Sequence, residues 1–139
     1  MKLQLAGVLL VAMTATAAPA MACEVEAEPL PLNERGYAYF YTKSGNTYCG
    51  VDAEEVRCSA QFTNTPVQGS MHANAVRFNA DGTVEYLIAD ADVRPELTLD
   101  YKTYSALGWT IDATTDGTWF TNDQTGHGMF VSVEKVEVY

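Results

Sequence analysis

Alternation of apolar and polar residues with a period of two is the feature that most limits how this chain can fold. Residues 37–43, for example, place Ala38, Phe40 and Thr42 between three tyrosines and a lysine. Successive side chains of a β-strand point to opposite faces, so this alternation is typical of half-buried strands. No window longer than about two turns keeps the spacing of an amphipathic helix. The pattern predicts an all-β domain, a small antiparallel sandwich or barrel of about eight strands built from hairpins.

Two linked hairpins with a disulfide are predicted in the first half of this domain. A Ser-Gly-Asn turn at residues 44–46 joins the first two strands. If residues 52–55 form the next loop, Cys49 lies directly opposite Cys58. Opposed residues of an antiparallel pair are close enough for a disulfide, and closing this loop stabilises a small fold by ~2–3 kcal/mol.

A further hairpin is predicted over residues 74–89, with Ala-Asp-Gly at residues 80–82 as its loop. A three-residue loop with a left-handed Gly82 keeps one face apolar, whereas a four-residue loop would set Val76 against Glu85. The pairs predicted with the shorter loop are Phe78 with Val84, Arg77 with Glu85, and Val76 with Tyr86.

The next hairpin is predicted to join a strand at residues 107–113 to a strand at residues 118–122 through a Thr-Thr-Asp-Gly loop at residues 114–117. Its register places Ile111 opposite Phe120. Trp109 then shares the face of this pair, while Trp119 points to the other face.

Residues 129–139 are predicted to form one last strand whose apolar parity changes partway. The valines stand at positions 131 and 133 and then at positions 136 and 138, so the parity switches near Glu134. We therefore expect a β-bulge there, or a strand that changes sheets.

The first 22 residues have the three parts of a secretory signal peptide. Lys2 supplies an early charge, residues 3–13 form a short apolar run, and Ala20-Met21-Ala22 offers a cleavage site. The run is too short to span a bilayer, and no later stretch reaches the ~20 apolar residues of a membrane helix. We therefore expect a protein that is secreted, periplasmic or otherwise extracytoplasmic.

The rest of the chain is predicted to be one domain behind a short tether. Residues 23–35 are acidic and contain Pro29 and Pro31, which is typical of an extended linker. Residues 36–139 are enough for a single β domain with a modest core.

Cleavage after Ala22 would leave Cys23 at the N-terminus, and two outcomes stay open. A lipoprotein requires a cysteine there, and three cysteines leave one unpaired once Cys49 and Cys58 have joined. Against lipidation, Ala20 stands where bacterial lipoprotein signals usually carry leucine. The mature protein is expected to be either free or lipid-anchored through Cys23.

The charge balance excludes some partners. The formal net charge is -10, and all eighteen acidic residues follow residue 22. A chain this acidic repels nucleic acid and anionic lipid, so we expect no nucleic-acid partner. Solubility is the ordinary reason for such acidity, and an acidic face for a basic partner is the alternative.

Short motifs in this chain resemble those of a group of small secreted bacterial proteins. They are Ser-Gly-Asn at residues 44–46 before Cys49, Val-Arg-Cys ending at Cys58, and Thr-Gly-His-Gly-Met-Phe at residues 125–130. Members of that group commonly carry Ser-Gly-Asn-Ile-x-Cys, Val-x-Cys and Gly-His-Gly-Phe. They often have further cysteines around the stretch equivalent to residues 109–122, where this chain has none. The resemblance implies a secreted, disulfide-stapled β domain and no particular reaction.

His127 is the sharpest single candidate for chemistry, because its flanking glycines would let a ligand approach closely. The alternative is a turn histidine bonded to the backbone. No serine or cysteine nucleophile with an orienting acid accompanies it in a known pattern. His72 is far from it in sequence, and Asp112, Asp116 and Asp123 lack the spacing of a calcium loop. We therefore expect no catalytic residue, no metal site and no cofactor.

Three tyrosines make the better case for binding. Tyr37, Tyr39 and Tyr41 share one face of a predicted strand, opposite Phe40. Such a row could stack on sugar rings or anchor a protein partner. The alternative is that this face packs against another sheet or against the tether.

These observations favour an exported, non-enzymatic β domain used for binding or envelope structure, with a protein or carbohydrate ligand. One alternative is an envelope-associated hydrolase that uses His127. Another is a secreted protein inhibitor that presents residues 63–73, which with residues 90–96 form the two irregular segments of the domain.

Overall fold

The computed structural model describes residues 26–90 and 94–139. Secondary structure in these two ranges consists of strands alone, without a helix, as the alternation predicts. The strands are β1 (Glu28–Pro29), β2 (Ala38–Tyr41), β3 (Thr47–Val51), β4 (Glu55–Ala60), β5 (Val67–Gln68), β6 (Met71–His72), β7 (Ala75–Asn79), β8 (Val84–Leu87), β9 (Thr103–Ala106), β10 (Trp109–Ala113), β11 (Thr118–Asn122), β12 (Gly128–Val131) and β13 (Val136–Val138). Accordingly, no helix of these residues is long and apolar enough to cross a bilayer.

The strands form two main sheets and one small hairpin. The six-stranded sheet has the order β1-β9-β10-β11-β12-β13, and the five-stranded sheet has the order β2-β3-β4-β7-β8. Strands β5 and β6 pair only with each other. Every strand pairing is antiparallel except that of β1 with β9. The predicted antiparallel β fold is confirmed, and neither main sheet closes into a barrel.

The core lies between the two main sheets. Phe40 of the five-stranded sheet stacks against Phe120 of the six-stranded sheet, with ring centroids 6.3 Å apart. Phe78 and Trp109 make an edge contact at 6.0 Å. The indole Nε1 of Trp109 donates a hydrogen bond to the Asp52 carbonyl at 2.9 Å, so the largest buried side chain has its polar atom satisfied.

The predicted registers of the first hairpins are confirmed. Cys49 lies opposite Cys58 and is joined to it by a disulfide, with a Cα–Cα distance of 4.1 Å. The pair is fully buried beneath the outer surface of the five-stranded sheet. The other confirmed pairs are Phe78–Val84, Arg77–Glu85, Val76–Tyr86 and Ile111–Phe120.

The prediction for residues 129–139 is wrong. They form a hairpin of β12 and β13, not one strand with a bulge or a change of sheet. Ser132 and Lys135 close the turn through backbone hydrogen bonds, and Val131 pairs with Val136 across it. The valine parity changes at Glu134 because this residue belongs to the turn, where side chains no longer alternate.

The sequence pattern did not predict strand β9, and β10 begins two residues later than predicted. Leu107 and Gly108 form the turn between these strands, and both have positive φ, 49° for Leu107 and 83° for Gly108. A leucine in that conformation is uncommon, so the turn carries no ordinary sequence signal.

The N-terminal part of the folded domain begins inside the segment interpreted as a tether. Glu28 and Pro29 pair with Tyr104 and Ser105, and the buried Leu30 donates its N–H to the Ser105 carbonyl at 2.8 Å. The Lys102 ammonium also contacts the Glu28 carboxylate. Residues 28–30 thus belong to the sandwich, while the predicted signal peptide and Cys23 lie outside the described residues.

Candidate functional site

The three tyrosines lie on the outer face of the five-stranded sheet. Ala38 and Phe40 are buried in the core, while Tyr37, Tyr39 and Tyr41 between and beside them are half-buried. Tyr37 stands just before β2, and its ring centroid is 6.0 Å from that of Tyr39. We call this surface, the outer side of the sheet at Tyr37, Tyr39 and Tyr41, the tyrosine face.

Tyr39 lies over Gly50, its partner on β3. A methyl group on Gly50 would collide with the Tyr39 ring, so only glycine allows the ring to rest on the strand. Glycine in a strand interior costs stability, and its presence here marks a close approach of another group. The ring therefore packs directly on the backbone of β3.

Tyr41 has a different environment. It lies opposite Tyr48, with ring centroids 6.1 Å apart in an edge arrangement. Its backbone N–H donates to the Leu97 carbonyl at 2.8 Å, and its carbonyl accepts from the Leu99 N–H at 2.9 Å. Residues 97–99 thus pair with the outer edge of β2 at its last residue.

Two depressions flank the ridge formed by Tyr37 and Tyr39. The first, which we call the Gly50 groove, has a volume of about 330 Å³. The second, the Pro95 groove, has a volume of about 760 Å³ and is formed by residues 31–35 and 94–97 beside the same two tyrosines. The Gly50 groove is lined by Arg35, Tyr37, Tyr39, Tyr48, Gly50, Val51, Asp52, Glu55, Arg57, Ser59 and Ala89.

The charged groups of the Gly50 groove are unevenly paired. Glu55 contacts the Arg77 Nε at 3.0 Å and lies 3.6 Å from an Arg57 nitrogen. Arg77 also contacts Glu85 at 3.2 Å. The Asp52 carboxylate accepts two backbone N–H groups of its own turn, at 2.7 and 2.8 Å. Arg77 therefore lies within 3.2 Å of two carboxylates, while Arg57 has only one long contact with a carboxylate.

His127 lies elsewhere, at the turn between β7 and β8. A methyl group on Gly82 of that turn would be 2.8 Å from the His127 Nδ1, so the imidazole rests on the glycine. The Thr125 hydroxyl donates to the Ala80 carbonyl at 2.6 Å and fixes the two loops together. Because β7 and β2 are three strands apart, His127 is separated from the tyrosine face by ~14 Å or more.

The surroundings of His127 supply a carboxylate but no placed nucleophile. Hydrogen bonds from the Thr83 hydroxyl and the Thr83 N–H lower the pKa of Asp81, with a smaller contribution from His127. Both of these donors belong to the turn itself, at 2.7 and 3.0 Å. His127 is exposed and lines neither of the two grooves.

A third cavity, of about 730 Å³, lies at one end of the sandwich. Its walls are the Ser-Gly-Asn turn at residues 44–46, the loop at residues 114–117 and the turn at residues 132–134, together with Tyr101. The Gly-His-Gly segment at residues 126–128 follows the opposite end of β11 from the loop at residues 114–117. Gly45 and Gly126 both have positive φ, which gives these motifs a role in forming turns.

Within residues 26–90 and 94–139, no three histidine, cysteine or acidic side chains lie close enough together to hold a metal ion. Asp112 accepts from the Thr103 hydroxyl at 3.3 Å and Asp123 from the Thr110 hydroxyl at 2.6 Å, on the outer face of the six-stranded sheet. Asp116 lies apart from both, in the wall of the end cavity.

Sequence patterning missed the grooves and the arginines beside the tyrosines. The groove walls come from separate parts of the chain, which no local pattern connects. One signal was present, namely a glycine in the middle of a strand opposite a tyrosine.

No family model, curated protein or solved structure matches the chain.

Proposed function

We propose that this chain is an exported, non-enzymatic domain that binds its ligand on the tyrosine face. The observation that carries the proposal is the Gly50 groove, where Tyr39 rests on a glycine and leaves an open depression beside its ring. An aromatic ring fixed at the edge of a depression offers a large contact area at little entropic cost.

The composition of the tyrosine face supports the same function. Tyrosine and arginine are enriched among the residues that dominate binding energies, and both line the Gly50 groove. The buried disulfide ties β3 to β4 directly beneath this groove, so its floor is stiff. A disulfide also suits the extracytoplasmic location expected from the N-terminal sequence.

The test is binding of the purified protein to a panel of extracytoplasmic polymers, including peptidoglycan and neutral and acidic glycans, measured by calorimetry or co-sedimentation. We expect Tyr39→Ala to weaken binding at least about tenfold, because the ring is the centre of the contact. Trp119→Ala is the matched control, since it removes an exposed aromatic side chain from the other sheet. The proposal fails if no polymer binds, or if Tyr37→Ala and Tyr39→Ala both leave binding unchanged.

A second candidate function, protein inhibition, is favoured by one observation. Strands β5 and β6 form a small hairpin outside the two main sheets, in which Val67 and Met71 are 57% and 54% exposed. Exposed apolar side chains on a surface hairpin are typical of a segment that contacts a partner. Val67→Ser with Met71→Ser should then abolish inhibition of a secreted hydrolase while Tyr39→Ala preserves it, and the reverse result would contradict this function.

A further inference from the structure

Three of the four arginines of the chain line the two grooves. Arg35 lines both grooves, Arg57 lines the Gly50 groove and Arg94 lines the Pro95 groove. Arg77 is the cross-strand partner of Arg57. The acids that line the same grooves are Glu34, Asp52, Glu55 and Glu96. In a chain with a formal net charge of -10, each groove thus has two cations and two anions instead of an acidic excess.

The lysines show the contrast. Each lysine in the described part of the chain contacts a carboxylate, and these pairs lie away from the two grooves. They are Lys43 with Asp100, Lys102 with Glu28, and Lys135 with Glu137. The cations outside the tyrosine face are thus already matched to acids of the protein.

Two guanidinium groups at the Gly50 groove are not matched in this way. Arg35 makes no ion pair with any residue in the described ranges. Arg57 lies 3.6 Å from a Glu55 oxygen, beyond hydrogen-bond distance, whereas Arg77 has carboxylate oxygens at 3.0 and 3.2 Å. The Nε atoms of both arginines are buried without a well-directed hydrogen bond, so the difference lies in the carboxylate contacts. The acids nearest to them are already engaged, since Glu55 is bound closely by Arg77 and Asp52 by its own turn. The groove therefore has unfilled capacity for an anion.

Guanidinium groups bind carboxylates through paired hydrogen bonds, and tyrosine rings pack against the flat apolar side of a ring-shaped molecule. A sugar that carries a carboxylate combines both features. We infer that the Gly50 groove binds a uronate unit of an acidic polysaccharide, with Arg35 and Arg57 at its carboxylate and Tyr39 against its ring. This inference rests on the proposed function, because it names the ligand class of the same surface.

The backbone of the five-stranded sheet favours a glycan over an acidic peptide. The strands β2, β3 and β4 pair with one another, and residues 97–99 pair with the outer edge of β2 at Tyr41. A peptide lying across this face would find no backbone partners for its own N–H and C=O groups, which is costly where water is excluded. A polysaccharide has no peptide groups, and its hydroxyls can turn toward water or toward the polar side chains of the groove.

The ridge between the grooves suits a linear polymer. Arg35, Tyr37 and Tyr39 line both the Gly50 groove and the Pro95 groove, so the two depressions meet at these side chains. A chain with a unit in each groove would cross Tyr37 and Tyr39, and Arg94 would lie beside the second unit. Binding should therefore strengthen from one sugar unit to several.

The test compares an oligogalacturonate with its fully methyl-esterified form, because the two differ only in the carboxylate charge. We expect the acid to bind at least about tenfold more tightly than the ester. Arg35→Gln and Arg57→Gln should each weaken binding of the acid at least about tenfold, whereas Lys135→Gln, which removes the same charge elsewhere, should change it less than about twofold. Near-ultraviolet circular dichroism checks that the Arg57 variant is folded, and Arg57→Lys should recover part of the affinity.

Every other outcome overturns the inference in a distinguishable way. Equal binding of acid and ester that depends on Tyr39 would sink the anionic ligand while leaving the proposed function in place. Binding of an oligoglutamate peptide as tight as that of the oligogalacturonate would replace the glycan with an acidic peptide. Failure of all three probes would exclude this ligand class, and the Tyr39→Ala result on the wider polymer panel would then decide the proposed function separately.

Discussion

On the outer face of each main sheet, a tyrosine ring lies over a glycine of the neighbouring strand. In the five-stranded sheet Tyr39 covers Gly50, and in the six-stranded sheet Tyr139 covers Gly128. The two rings differ in what surrounds them. The Tyr139 hydroxyl is 2.7 Å from the Thr121 hydroxyl, whereas the Tyr39 hydroxyl makes no hydrogen bond to a described residue.

The six-stranded sheet completes its aromatic contacts internally. Trp119 packs against Phe130 at 4.7 Å and against Tyr139 at 5.7 Å between ring centroids. We call these three residues the Trp119 cluster. Trp119 and Tyr139 are exposed and Phe130 is buried, and the three rings already pack on one another. Tyr37 and Tyr39 of the tyrosine face instead border open grooves. Exposure of an aromatic side chain is therefore a poor guide to binding unless its own contacts are known.

The disulfide gives the largest expected difference between the two sheets. Cys49→Ala with Cys58→Ala should lower the free energy of unfolding by ~2–3 kcal/mol, since the cross-link closes a loop of about ten residues. Hydrogen exchange should then rise more in β2 to β4 than in β10 to β12, because only the former strands border the bond. Reduction of the wild-type protein serves as the control. Equal increases in both sheets would show that the two sheets unfold as one unit.

Truncating Trp119 and Tyr39 to alanine should distinguish a ring that stabilises the fold from a ring that binds the ligand. Trp119→Ala removes two ring contacts and should lower the free energy of unfolding by ~1–2 kcal/mol without changing ligand affinity. Tyr39→Ala removes one such contact and should cost less than ~1 kcal/mol, while ligand affinity falls. Urea unfolding and calorimetry measure the two effects, and a larger stability loss for Tyr39→Ala would reverse the comparison.

Gly50 and Gly128 allow a matched pair of substitutions with smaller expected effects. Gly50→Ala and Gly128→Ala each force the tyrosine above to move, and each should change the free energy of unfolding by about 1 kcal/mol or less. Only Gly50→Ala should weaken ligand binding, because it displaces a ring beside a groove. If Gly128→Ala weakened binding equally, the Trp119 cluster would have to be part of the ligand site.

The smallest effect is expected at Lys43. Its exposed ion pair with Asp100 is one of the three lysine–carboxylate pairs outside the tyrosine face. The hydrogen bond from Lys43, followed by its charge, lowers the pKa of Asp100 below its ordinary value. A carboxyl group whose pKa is lowered in the folded state stabilises the fold at pH values above the ordinary pKa of aspartate. This contribution is lost as the pH falls through the lowered pKa. Lys43→Gln should raise the pKa of Asp100 again, as measured by NMR titration. An unchanged pKa would mean that the ion pair is not formed in solution.

Much of the fold could be predicted because its turns carry strong local signals. Gly82 and the loop at residues 52–55 set the registers of their hairpins, and the position of Cys58 opposite Cys49 followed from the second of these. The turn at Leu107 could not be predicted in this way, because tertiary packing imposes a conformation that leucine does not favour.

Only part of the candidate site could be predicted from the sequence. Alternation placed the tyrosines on one face, since strand geometry alone decides that parity. The Gly50 groove depends on which strands become neighbours, and Arg57 reaches it only because β4 pairs with β3. Such a surface is a product of sheet order, which local patterns do not encode.

The short parallel pairing of β1 with β9 has a mechanical consequence. The chain passes from β1 in one sheet to β2 in the other through residues 31–35, which form a wall of the Pro95 groove. A pulling force applied ahead of residue 28 would be carried first by the β1–β9 hydrogen bonds and by the buried Leu30. These contacts would bear the force first. A pull on the N-terminal end of the chain would therefore reach the groove wall only after they have broken.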